Sequence, residues 1–150
     1  FLATQQWTAV LSPYIRFGEL SPRRCYHDAL QFNRKVQTDK GTRPVNNTFV
    51  RRFFWRDLAY WCLWRFPDLP STSLRSHYET ERWSGSQTQL RRWQQGRTGF
   101  PLVDAGMRQL WKLGWMPNYL RHVCAQFLIE FLDISWKKGF EWFDYTLVDA

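Results

Sequence analysis

Apolar positions along the chain recur three and four residues apart, and the alternation that a half-buried strand requires is nearly absent. Ser12-Pro13 and Ser21-Pro22 each put a capping hydroxyl directly before a proline, an arrangement that opens helices. The second leads into a helix over residues 23–36. Residues 40–44 read as a polar loop, after which Asn46, Asn47 or Thr48 caps a long helix to residue 66, stopped by Pro67. Residues 68–86 carry prolines, serines and mixed charge, and are expected to form a long ordered surface loop, where functional segments often lie. Further helices are expected over 87–95, ending at Gly96, and over 101–114, with proline first and glycine last. Another runs over 117–132, with Tyr119, Val123, Phe127 and Phe131 down one side, and a last one starts near Lys138. With no repeat and no low-complexity tract, the pattern predicts an all-α fold.

A length of 150 residues suits one domain with one core. Aromatics make up 19% of the chain, with ten Trp and twelve Phe. That richness fits a core packed with large flat side chains, or a site that stacks on, or exchanges electrons with, a conjugated ring. The net charge of +8 favours anionic partners, either nucleic acid or a phosphate-bearing cofactor, and also fits a merely soluble basic surface. Cys25, Cys62 and Cys124 show neither pairing nor metal-ligand spacing, and are expected as buried thiols in a reducing compartment. No apolar run reaches membrane-spanning length and no signal-peptide layout opens the chain, so an intracellular location without a membrane partner is expected. The chain starts without Met and ends in Leu-Val-Asp-Ala, and is read as a fragment.

The strongest motif is Thr98-Gly99-Phe100-Pro101-Leu102-Val103-Asp104-Ala105-Gly106-Met107-Arg108-Gln109-Leu110. Physically it is a glycine turn followed by a proline-started helix, with Ala105 and Gly106 small enough for a neighbouring helix to approach. The run resembles the signature of the photolyase/cryptochrome family at every defined position. The resemblance extends over nearly all 150 residues and implies part of the helical FAD-binding domain, incomplete at both ends and without the N-terminal α/β antenna domain. FAD is the implied cofactor.

Other segments agree in order and spacing. Thr8-Ala9-Val10-Leu11-Ser12 is similar to the family's flavin-phosphate loop, with Ala9 where Ser is usual. Phe54-Trp55-Arg56-Asp57-Leu58 resembles the family's Trp-Arg-Glu-Phe helix, which implies Trp55 as an aromatic wall and Arg56 as a phosphate or flavin neighbour. Trp115-Met116-Pro117-Asn118 resembles its Trp-Met-His-Asn segment, which implies that Asn118 points at the flavin and that Arg121 faces the ring and pairs with Asp149. Charge-assisted bonds of that kind are worth about 1.5–3 kcal/mol each. The cofactor-binding set implied by the resemblance is therefore Thr8, Ala9, Val10, Leu11, Ser12, Trp55, Arg56, Asn118, Arg121, Asp149 and Ala150. Trp83 precedes Trp93 by ten residues, and Trp136 follows Asn118 by eighteen. Both spacings are similar to the distal and middle members of the tryptophan chain through which relatives reduce photoexcited flavin.

Two positions bear on repair against sensing. Repairers of cyclobutane dimers usually carry Glu where this chain has Arg52, and Met where it has His122. Repairers of the (6-4) photoproduct carry His at both that position and the one occupied here by Asn118. The resemblance thus favours a cryptochrome-like photoreceptor, with signalling proteins as partners. The alternative is a photolyase, a carbon–carbon lyase acting on UV-damaged DNA through a pocket of Arg52, Trp55, Arg56, Asn118 and His122, with His122 as proton donor. A third reading is a helical nucleic-acid-binding module without flavin, in which Arg51, Arg52, Arg91, Arg92 and Arg97 contact phosphates.

Overall fold

The computed structural model of the protein describes residues 8–36, 45 and 47–150. The polar loop expected over 40–44 and the candidate cap Asn46 lie outside the described residues. Helices and turns make up the described chain, with no strand among those residues, and it divides into two compact units.

The unit Leu11–Leu74 carries α1 (Ser12–Arg16), α2 (Pro22–Val36) and α3 (Asn47–Arg65). Ser12 does not cap α1 as its place before proline suggested. Leu11 already has helical angles (φ −92°, ψ −12°), so the chain turns one residue early and the hydroxyl falls inside the first turn. Ser21 does behave as expected, its Oγ accepting the Arg24 N–H at 3.4 Å while Pro22 opens α2. The Asn33 side chain bonds both backbone groups of Val45, at 2.6 and 3.2 Å, and so holds the approach to α3 against α2. Only Ala29, Val36 and Phe53 are buried among this unit's described residues, and the aromatic run of α3 is open to solvent.

The other unit comprises, among the described residues, 8–10 and Arg75–Ala150. The expected loop over 68–86 holds a 3₁₀ turn at Ser76–Thr80. Then come α4 (Gln87–Gln94), α5 (Pro101–Leu113), α6 (Asn118–Gln126), a π-helical turn (Phe127–Phe131) and α7 (Trp136–Thr146). Ser86 and Gln89 form a capping box on α4, with Oγ accepting the Gln89 N–H and Oε1 accepting the Ser86 N–H. Trp93, Met107, Leu110, Met116 and Leu128 are fully buried at the centre of this unit. The one polar group of Trp93 is satisfied, its indole N–H donating to Cys124 O at 3.0 Å.

Gly106 lets α6 come close, since a Cβ there would lie 3.1 Å from Cys124 Sγ and 3.2 Å from Leu120 Cδ2. Ala105 plays no such part, because one step round α5 turns it to solvent. The expected side of Tyr119, Val123, Phe127 and Phe131 is not kept. Each four-residue step overshoots a full helical turn by about 40°, so Tyr119 and Phe131 are exposed while Phe127 is buried. The helix expected to reach residue 132 gives way at Phe127 to the π turn, and α7 begins at Trp136, two residues before Lys138, with Ser135 as its cap. Of the cysteines only Cys124 is buried, and Cys25 and Cys62 are half-buried. Among the described residues no helix is long and apolar enough to cross a membrane.

Candidate functional site

The signature run owes its form to Asp104. Its Oδ1 accepts the Thr98 N–H at 2.7 Å and the Thr98 hydroxyl at 2.6 Å, and its Oδ2 accepts the Gly99 N–H at 2.9 Å. Burial pushes this carboxyl up, but those three bonds and the Arg108 charge outweigh it and hold the group below the usual 3.8. Gly99 sits at φ 91°, where a side chain would be strained, so carboxylate and glycine together fold the turn that starts α5. Sequence reasoning noticed the glycine and missed the aspartate. An acidic residue in the first turn of a proline-started helix was the available signal.

A second knot forms where α5 ends, α6 begins and the 147–150 segment returns. Gly114 closes α5 in the left-handed region (φ 64°), and its carbonyl accepts the Val148 N–H at 2.9 Å. Arg121 Nε donates to Met116 O at 2.8 Å, and Nη2 meets Asp149 Oδ2 at 2.8 Å. The expected Arg121–Asp149 pair is therefore present, with side chains 24% and 2% exposed. Asp149 Oδ1 is buried with no hydrogen-bond partner among the described residues. A buried acceptor in that condition costs about 1–3 kcal/mol until a donor reaches it. The uracil-like edge of a flavin offers an N–H between two carbonyls, and its sugar chains offer hydroxyls, so the donor set fits that cofactor. Asn118 is exposed as the first residue of α6, His122 is exposed on that helix, and Ala150 is exposed beside Asp149.

Trp83 and Trp136 lie in this same unit, both half-buried, Trp136 as the first residue of α7. Lys137 Nζ sits 5.7 Å from the centroid of the Trp136 ring. Thr8 and Ala9 are exposed and Val10 has a positive φ of 48°.

The remaining expected residues, Leu11, Ser12, Arg52, Trp55 and Arg56, belong to the other unit. Ser12 starts a helix of only five residues, too short to gather much dipole by itself. Arg52 is exposed, and Trp55 is 56% exposed. Arg56 lies over the Tyr60 ring at 4.5 Å and meets Asp57 at 3.3 Å. A groove of about 360 Å³ between α2 and α3 is lined by Tyr26, His27, Phe53 and Phe54, with Arg23 and Asp57, and contains none of the expected site residues.

Residues 49–150 match the family profile described as the FAD binding domain of DNA photolyase. A deoxyribodipyrimidine photo-lyase of Agrobacterium fabrum is 38% identical over 143 residues, which cover 95% of this chain and 29% of the relative. Cryptochrome-1 of Sinapis alba is 39% identical over 145 residues, again 95% of this chain and 29% of the relative. The crystal structure of a bacterial class III photolyase from Agrobacterium tumefaciens superposes with a TM-score of 0.84 at 35% identity, covering 97% of this chain and 29% of that one. The chain thus spans about 29% of the length of these relatives. Profile, relatives and helical fold agree that the chain belongs to the photolyase/cryptochrome family, as part of its FAD-binding domain.

Proposed function

We propose that the chain is the flavin-holding part of a blue-light flavoprotein of the cryptochrome type, whose FAD is reduced by light through tryptophans and whose change of state is passed to a signalling partner. The observation that carries the flavin reading is the partly buried Arg121–Asp149 pair, with one buried carboxylate oxygen left for an outside donor. Bound FAD supplies a ring that absorbs blue light and accepts an electron.

Arg121 and Asp149 bind that ring, with Asn118 at the head of the same helix as Arg121 and Ala150 next to Asp149. A fixed guanidinium favours the negative charge that the ring gains on reduction. Thr8, Ala9, Val10, Leu11 and Ser12 hold the cofactor's phosphates, and Trp55 and Arg56 close its side. Trp83 and Trp136 pass electrons inward, because an indole can lose one electron and delocalise the resulting charge.

Sensing is preferred to repair on the strength of Arg52, Asn118 and His122, which together match neither lesion-binding pattern. Repair of UV-damaged DNA is the competing reading, with Arg52, Trp55, Arg56, Asn118 and His122 facing the lesion and His122 as proton donor. Illuminating the full-length flavin-loaded protein with oligonucleotides carrying pyrimidine dimers separates the two. The expected result is flavin reduction with the dimers intact. Loss of dimers under blue light overturns the sensing assignment in favour of repair.

A further inference from the structure

Two contacts tie the segment around Trp83 to the start of α7. Glu79 Oε2 meets Lys137 Nζ at 2.9 Å, with side chains 35% and 38% exposed. The Asp133 carboxylate accepts the Ser84 N–H at 2.9 Å and also the Ser84 hydroxyl, while the Gly85 N–H donates to the Asp133 carbonyl at 2.9 Å. No side chain could enter at Gly85, because a Cβ would fall 2.3 Å from Leu132 O and Ile134 Cγ1. Asp133 itself adopts φ 51°, a conformation unusual for a residue with a side chain, which such surrounding contacts keep in place.

The anchor points are the informative part. Residues 79 and 84 bracket Trp83, and residues 133 and 137 bracket Trp136. The two segments are therefore fastened on both sides of both indoles, by groups that belong to neither ring.

We infer that Asp133 and the Glu79–Lys137 pair are positioning residues for one-electron exchange between Trp83 and Trp136, an inference that rests on the photoreduction reading above. The oxidant is photoexcited flavin. Trp136, after giving up one electron towards it, is a radical cation. One electron then leaves Trp83, Trp136 returns to the neutral indole, and Trp83 carries the positive charge. No bond breaks until the Trp83 indole N–H releases its proton to water. Transfer between two rings weakens steeply with their separation, so a clamp that fixes the separation sets the rate. Lys137 adds direction, since an ammonium 5.7 Å from the Trp136 ring raises the energy of a positive charge there and favours its passage to Trp83.

Transient absorption on the full-length flavin-loaded protein tests the clamp by following each tryptophan radical in time. The double variant E79A/D133A is expected to slow the Trp83-to-Trp136 transfer several-fold, while the preceding loss of an electron by Trp136 keeps its wild-type rate. Asp133→Asn keeps an acceptor oxygen for Ser84 and is expected to restore most of the rate relative to Asp133→Ala. Lys138→Ala, which breaks only the exposed Lys138–Glu141 pair, is expected to change nothing. If the double variant does not fold, E79Q, which removes the charge that pairs with Lys137, carries the same test with a smaller expected slowing. A wild-type transfer rate in the folded double variant, or in E79Q where that replaces it, overturns the clamp and leaves the photoreduction reading standing. Unchanged photoreduction in Trp83→Phe overturns both.

Discussion

Two aspartates do opposite things in this structure. Asp104 spends both oxygens on the turn before α5 and leaves nothing for a ligand. Asp149 spends one oxygen on Arg121 and keeps the other buried and unmet. The first residue builds the fold and the second keeps an acceptor for an outside donor. Asp104→Asn replaces an acceptor oxygen by an NH₂ that faces backbone donors, and leaving one such buried donor unpaired costs about 1–3 kcal/mol. The pH dependence follows from the lowered carboxyl. Its stabilisation is fully present above 3.8 and is lost as pH falls through the lower folded value. Urea melts of the wild type and Asp104→Asn are therefore expected to differ near neutral pH and to converge in acid. Asp133, lowered by the Ser84 side-chain and backbone bonds, loses its contribution in the same acid range. Curves that stay apart at all pH values would contradict this account of Asp104.

Among the elements, the crossing of α5 and α6 depends on a single glycine. Gly106→Leu has to push Cys124 Sγ and Leu120 aside, and overpacking of this kind costs about 1–3 kcal/mol. Ala105→Leu, one position along and exposed, is expected to change stability by no more than about 0.5 kcal/mol. Equal destabilisation of the two variants in a denaturant titration would contradict the crossing.

The same elements show what the sequence could reveal. Proline and glycine mark the start and end of α5, and the Ser86–Gln89 box marks α4, because capping chemistry is local and lies in the residue types. The π turn at Phe127–Phe131 left no such mark, since a change from one backbone bonding pattern to the next needs no particular side chain. The cap at Ser12 was misplaced because the backbone of Leu11, which no residue type dictates, turns helical first. Within the candidate site, the Arg121–Asp149 pair was legible from the family resemblance, whereas the orphaned oxygen of Asp149 and the clamp at Asp133 were not. Both depend on segments distant in sequence, Ser84 and Asp133 being 49 residues apart.

Over the whole molecule, the large aromatic side chains are divided between core and surface. Trp93 is fully buried in one unit, whereas Trp64 on α3 is 78% exposed. The basic balance of +8 accords with a cofactor that carries phosphates, and the exposed Arg51, Arg52, Arg91, Arg92 and Arg97 contribute to it. Membership of the photolyase/cryptochrome family supplies the flavin, and the placement of the tryptophans supplies the proposed route for its electron. The most direct measurement is the rate of blue-light flavin reduction in the full-length protein with Trp136→Phe, compared with wild type at equal flavin content. The account predicts that reduction slows several-fold or more while the flavin stays bound. Reduction at the wild-type rate would contradict it.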